Sequence, residues 1–123
     1  MKPTVLIIED DSTTARLLEV ILDREGFHAL VAHDGPKGLE IIHSQPVDLV
    51  MLDLMLPGID GFEVLSQLRA DPETANLPVI VVSVKSQATD KQNAADMGAN
   101  AYLTKPYDIA EMLQLIGTLI RSR

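Results

Sequence analysis

Val5-Leu6-Ile7-Ile8-Glu9-Asp10-Asp11 is a short aliphatic run that stops on three acids. A run this brief and this rich in Val, Ile and Leu reads as a strand buried on both faces, the habit of parallel sheets. Three other runs stop on polar residues in the same way. Residues 47–52 end at Asp53, residues 79–82 end at Ser83, and Ala101-Tyr102-Leu103 leads to Lys105-Pro106. In an open α/β sheet, ligands bind beyond the carboxyl ends of the strands. The acids, one hydroxyl and one lysine are therefore expected to converge on one patch able to hold a divalent cation and a phosphoryl group.

Outward from these runs, strand and helix patterns alternate along the whole chain. The first strand is predicted at Thr4–Ile8 and the first helix at 12–25, with Ala15, Leu18, Ile21 and Leu22 on one face and Gly26 as its stop. A short strand follows at His28–Ala32, and Asp34-Gly35-Pro36 opens a helix bearing Leu39, Ile41 and Ile42. The third strand is predicted at 47–52, followed by a loop with Pro57-Gly58 and Asp60-Gly61 turn signals and a helix at 62–70. Residues 78–83, 88–97 and 100–104 read as strand, helix and strand, and the last helix runs from an Asp108 cap to about residue 120. Five such βα units predict an α/β fold with a parallel sheet, right-handed crossovers and helices on both faces.

The chain has 123 residues, a length that suits one domain spanning 1–123. Hydrophobic residues make up 46% and aromatics only 3%, so the core must be aliphatic. There is no cysteine, which excludes a disulfide framework and thiolate metal sites. No apolar run approaches the ~20 residues that span a bilayer, and no secretory leader pattern opens the chain. The net charge of −8 argues against direct nucleic-acid binding, which rests on basic patches, and is compatible with a bound cation. Together these features point to a cytoplasmic protein with no membrane partner.

Each site residue has a bland reading beside the functional one. Glu9-Asp10-Asp11 precedes a helix, and one of the three acids is enough to cap it. The remaining carboxylates, with Asp53 across the sheet, make a hard oxygen site of the kind Mg²⁺ prefers. Asp53 alone would pass for a turn residue, but a carboxylate is also a legitimate nucleophile toward phosphorus. Ser83 reads as a cap or as a hydroxyl donor to a phosphoryl oxygen. Lys105 reads as a surface lysine or as a point charge on phosphate. Phosphoryl transfer needs mostly positioning and charge neutralisation, which this set supplies. His28, His33 and His43 are placed away from the site, and Met51, Met55 and Met97 read as packing residues.

In this arrangement the chain resembles the receiver domain of bacterial two-component response regulators over its whole length. Val5 to Asp11 is similar to that family's first strand and acidic pair, and Leu52 to Gly61 to its phosphoacceptor loop. Ser83 lies thirty residues after Asp53, and Lys105-Pro106 twenty-two after Ser83, the spacing such domains show. The resemblance implies a flavodoxin-like (βα)5 fold with strand order 2-1-3-4-5. It implies Asp53 as phosphoacceptor, Asp10 and Asp53 as direct Mg²⁺ ligands, the Met55 backbone carbonyl as a third, and Glu9 acting through water, with Mn²⁺ as a substitute ion. Ser83 and Tyr102 would be the switch pair, Lys105 the phosphate-binding lysine, and the Lys105-Pro106 bond cis. The phosphoryl donor would be a histidine kinase or a histidine phosphotransfer protein, and the target a downstream protein or a fused output domain. Such a module is a regulatory acceptor that assists its own phosphorylation and dephosphorylation, not a conventional enzyme. Asn100, Ala101 and Leu115 depart from the charges that winged-helix members of the family carry there.

The alternative on the same topology is a flavodoxin-like small-ligand or nucleotide binder. It needs a glycine- or hydroxyl-rich phosphate loop after the first strand, where Glu9-Asp10-Asp11 would repel phosphate. An aspartyl phosphatase needs a second acid two residues after its nucleophile, where Met55 stands. The output face is expected on helix 4, strand 5 and helix 5. In helix 5, Ile109, Leu113, Ile116 and Ile120 form a stripe predicted to face the sheet. Met112, Leu115 and Leu119 form a second stripe, which is either a core margin or the seat of a phosphorylation-linked homodimer through helix 5.

Overall fold

The computed structural model describes residues 2–122, so Met1 and Arg123, the two ends of the expected 1–123 domain, lie outside the described residues. The elements run β1 (Thr4–Ile8), α1 (Ser12–Arg24), β2 (His28–Ala32), α2 (Gly35–Ser44), β3 (Leu49–Asp53), α3 (Gly61–Ala70), β4 (Val79–Ser83), α4 (Ala88–Asp96), β5 (Ala101–Thr104) and α5 (Ile109–Arg121). The five strands form one parallel sheet in the order β2-β1-β3-β4-β5. The parallel α/β sheet is the one that the sequence pattern predicts, and its flavodoxin-like strand order is the one that the family resemblance implies.

Strand alternation sends successive side chains to opposite faces and so builds two cores. On one face Leu6, Ile8, Val50, Leu52, Val79 and Val81 pack with Val64, Leu65 and Leu68 of α3 and Ala94 of α4. On the other, Val5, Ile7, Leu49, Met51, Ile80 and Leu103 pack with Leu18 and Leu22 of α1 and Met112 and Ile116 of α5. Four helices begin on an aspartate that accepts a backbone N–H of the first turn: Asp11, Asp34, Asp60 and Asp108. Helix α4 differs, because its Gln87 makes no side-chain cap bond and Ala94 is its single fully buried residue. It is the least anchored of the five.

The structure corrects three sequence readings. Strand β3 starts two residues later than expected and ends on Asp53 instead of Leu52. At its start the Asp48 carboxylate accepts from Thr4 N at 2.7 Å, and at its end Asp53 pairs with Val82 in the ladder. In α5 the deepest residues are Met112 and Ile116, both 0% exposed, with the flanking apolar residues half-buried. The apolar arc is wide and its middle faces the sheet, so Met112 is core and the second stripe is not an exposed patch. Of the methionines read as packing residues, Met51 is buried, whereas Met55 and Met97 are 59% and 37% exposed. Elsewhere predicted and observed bounds differ by one residue at element ends.

Candidate functional site

The carboxyl ends of β1, β3 and β5 bring three charged side chains together inside the protein surface. Glu9 and Asp53 are 4% and 5% exposed. Carboxylates this buried require partners for their charge and lone pairs. Lys105 supplies the charge, with Nζ 2.8 Å from Asp53 Oδ2 and 3.1 Å from Glu9 Oε1. Backbone N–H groups take the remaining oxygens, Met55 N donating to Asp53 Oδ1 at 2.8 Å and Asp11 N to Glu9 Oε2 at 3.1 Å. Asp11 itself caps α1, accepting from Thr14 N at 3.0 Å and from the Thr14 hydroxyl. Asp10 and Asp11 are both exposed, and with Asp11 engaged as the cap, Asp10 is the acid that stands at the rim of the site. Carboxylate oxygens of Glu9, Asp10 and Asp53 lie within 4.8 Å of one another.

These contacts set the electrostatics. Burial pushes the Glu9 carboxyl above the usual glutamate range, with nearby Asp53 adding to the rise and the Asp11 N–H and Lys105 opposing it. Burial acts to lower Lys105, but its hydrogen bonds to Asp53 and Glu9 prevail and hold the ammonium above its ordinary range. The lysine is thus a fixed positive charge at neutral pH. Asp11 is held below its usual range by the Thr14 hydroxyl and backbone.

Ser83 closes β4 one residue beyond Val82, the ladder partner of Asp53, and is 1% exposed. Its Oγ accepts from Lys85 N at 3.1 Å. Tyr102 on β5 is half-buried against the first core, and its hydroxyl donates to the Lys85 carbonyl at 2.8 Å. Both side chains therefore hold the same residue of the β4–α4 loop. The Lys105-Pro106 peptide bond is cis. Met55, two residues past Asp53, projects into solvent.

Two neighbours escaped the sequence reading. His33 is not away from the site, since its ring Nδ1 lies 3.1 Å from the Glu9 carbonyl oxygen, because β2 pairs with β1 and ends beside it. Tyr107 lies among Glu9, Asp53 and Met51, and burial pushes its phenol upward. Its place two residues after Lys105 was the signal available for it. Asn100 is occupied structurally, its Oδ1 accepting from Val79 N at 2.9 Å and from Arg69 at 3.0 Å. A second group of titratable side chains, His43, Asp71 and Glu73, stands where α2 and the α3–β4 connection meet at the amino end of the sheet. His43 and Asp71 are 3.9 Å apart and solvated, which is an ordinary surface contact.

Comparison with known proteins decides the family. The model of the response regulator receiver domain matches residues 5–117. The chain belongs to that family. Among curated relatives, a Synechocystis protein described as a DNA-binding dual master transcriptional regulator, RpaA, is 43% identical over 119 residues, covering 97% of this chain and 49% of its own length. The response regulator ArlR of Staphylococcus saprophyticus is 40% identical over 117 residues, covering 95% of this chain and 52% of its own. This receiver domain thus spans about half the length of the curated relatives it matches. The receiver domain of Francisella response regulator 1452 superposes with a TM-score of 0.93 at 30% identity, covering 98% of both chains. A sensor protein from Polaromonas gives 0.89 at 30% identity, covering 99% of this chain and 98% of its own. Receiver domains of two-component systems generally bind Mg²⁺ at an acidic pocket, and Glu9, Asp10 and Asp53 form an acidic pocket here. Among the described residues, no helix is long and apolar enough to cross a membrane.

Proposed function

We propose that this receiver domain is a phosphorylation-dependent signalling switch in which Asp53 accepts a phosphoryl group from a histidine kinase or a histidine phosphotransfer protein. The observation that carries the reading is the grouping of buried Asp53 and Glu9 around Lys105, with Asp10 at the rim. An all-oxygen set of three mutually close carboxylates fits Mg²⁺, and Mn²⁺ as a substitute. Asp10, Asp53 and the Met55 carbonyl would hold the ion directly and Glu9 through water. When bound, the ion neutralises negative charge on the transferring phosphoryl oxygens.

The protein's own groups do the rest. An Asp53 oxygen attacks phosphorus as the donor's P–N bond breaks. The electron pair leaves on the donor imidazole, which takes a proton from solvent. Lys105 exchanges its bond to Asp53 for one to a phosphoryl oxygen, so the charge it balances moves but does not vanish. Ser83 turns its hydroxyl to another phosphoryl oxygen, and Tyr102 repacks into the space released. Two packings of the β4–α4 loop are thereby coupled to phosphorylation, and the α4–β5–α5 surface reports the state to a downstream protein or an attached output domain. Reporting by a homodimer through α5 would use the half-buried Leu115 and Leu119, since Met112 belongs to the core.

An apolar groove of about 380 Å³ runs beside the site, lined by Leu17, Val84, Pro106, Tyr107 and Ile109 together with Lys105. Leu17 and Val84 are 57% and 64% exposed. Because Lys105 belongs to both groove and site, a donor protein seated in the groove lies next to Asp53. Leu17→Glu is expected to slow phosphotransfer from the protein donor by about tenfold while labelling by acetyl phosphate stays at the wild-type rate. Equal slowing with both donors would remove the groove from the docking surface.

The deciding experiment is the intact mass of the protein after incubation with acetyl phosphate and Mg²⁺. One phosphoryl mass is expected on the wild type and none on Asp53→Asn. Undiminished labelling of that variant would overturn the assignment.

A further inference from the structure

We propose that Thr104 is a third hydroxyl of the switch, which accepts the Lys85 N–H when Ser83 releases it. The inference rests on the switch reading above and concerns a residue that reading leaves idle. Among the described residues, Thr104 Oγ1 is the one buried side-chain polar atom without a hydrogen-bond partner. Buried hydroxyls are paired in the great majority of proteins, so an orphan needs an explanation. Its position provides one. Thr104 pairs in register with Ser83 across the β4–β5 ladder. The two residues before them in alternation, Val81 and Tyr102, both pack into the first core, so Ser83 and Thr104 project from that same face.

The hydrogen bonds of the resting state leave a matching deficit in the switched one. At rest Ser83 Oγ accepts from Lys85 N at 3.1 Å, and Tyr102 bonds the carbonyl of the same residue at 2.8 Å. Once the Ser83 hydroxyl turns to a phosphoryl oxygen, the Lys85 N–H loses its acceptor. The ladder partner of Ser83 on that face is Thr104, whose hydroxyl has nothing to release first. One state therefore holds an acceptor without a donor on Thr104, and the transition produces a donor without an acceptor beside its ladder partner Ser83. Helix α4, which follows the loop, offers little resistance to the shift, having no side-chain cap at its start. An unmade hydrogen bond at rest raises the resting state relative to the switched one and biases the equilibrium toward phosphorylation.

The test compares the protein with Thr104→Val and Thr104→Ser, titrating beryllofluoride in the presence of Mg²⁺ and following the Lys85 amide by NMR. Thr104→Val is expected to melt higher without ligand, because the orphan hydroxyl is gone. It should also need about five- to tenfold more beryllofluoride for half-saturation, and its Lys85 amide should exchange faster than wild type in the bound state only. Thr104→Ser should restore the wild-type midpoint. A hydroxyl with a packing role alone would change the melting temperature and leave midpoint and bound-state exchange at wild-type values, and that result overturns the proposal. If Thr104→Val fails to fold, Thr104→Ala against Thr104→Ser reads the same difference. A wild type that does not respond to beryllofluoride overturns the receiver switch itself, whereas a responsive wild type with an indistinguishable valine variant overturns this inference alone.

Discussion

At the carboxyl end of the sheet, Glu9 and Asp53 are 4% and 5% exposed and share Lys105. At the amino end, His43, Asp71 and Glu73 gather equally closely, but His43 and Glu73 are exposed and Asp71 is half-buried. Both groups are clusters of titratable side chains on loops and element ends. Only the first is placed where each ionised oxygen must be answered by a named donor. Burial converts a chance grouping into one whose charges are coupled, because water no longer screens them. The comparison teaches that proximity of acids says little until their solvation is known.

The sharpest break in that comparison is chemical. Asp53→Asn should abolish phosphoryl labelling, whereas Asp71→Asn should leave it unchanged in an intact-mass assay. Loss of labelling in both would mean that the two ends are not separate.

Next comes stability. Lys105→Met leaves two buried carboxylates without their cation and is expected to cost about 2 kcal/mol in Mg²⁺-free buffer, discounted from the larger figures for fully buried pairs because the lysine side chain is 29% exposed. Adding Mg²⁺ should recover part of the loss by supplying charge to the same oxygens. His43→Gln at the other end should stay within about 0.5 kcal/mol. Denaturant unfolding with and without Mg²⁺ measures all three. Similar costs at the two ends would contradict the role given to burial.

The smallest effect concerns pH. A glutamate whose carboxyl is raised in the fold binds its proton more tightly folded than unfolded, so its contribution to stability declines as pH rises through that interval. Glu9→Gln should therefore stabilise the Mg²⁺-free protein at neutral pH, and the gain should fade as the pH falls and the wild-type carboxyl takes up its proton. A gain that grows in acid would show that Glu9 is stabilised as a carboxylate instead.

Much of the fold was legible because it is local. Each strand announces itself by an aliphatic run and four of the five helices by an acid at their start. Asp11, Asp34 and Asp108 cap their helices as expected, and Asp60, read only as part of a turn, caps α3 as well. Apart from the bounds of β3, the readings that needed correction concern directions in space. Periodicity identified the apolar residues of α5 but not which of two overlapping stripes the sheet would cover. Met55 and Met97 looked like core by composition, yet lie at a loop and a helix end beyond the reach of either core. His33 was set aside although the implied strand order puts β2 beside β1, because no local pattern shows that its ring reaches the Glu9 carbonyl.

By itself the sequence determined the order of elements, the parallel α/β class and the residue types waiting at the strand ends, since each depends on a few consecutive residues. Tertiary structure alone decided how those residues are used. It gave Asp11 to the helix and left Asp10 in solvent. It buried Glu9, tied Ser83 and Tyr102 to one loop residue, and left the Thr104 hydroxyl unpaired. It also brought Lys105 to Asp53 across 52 positions of chain and to Glu9 across 96. Contacts at such separations follow from strand order and register, which no local pattern encodes, and only burial at that meeting point makes the charges act on one another.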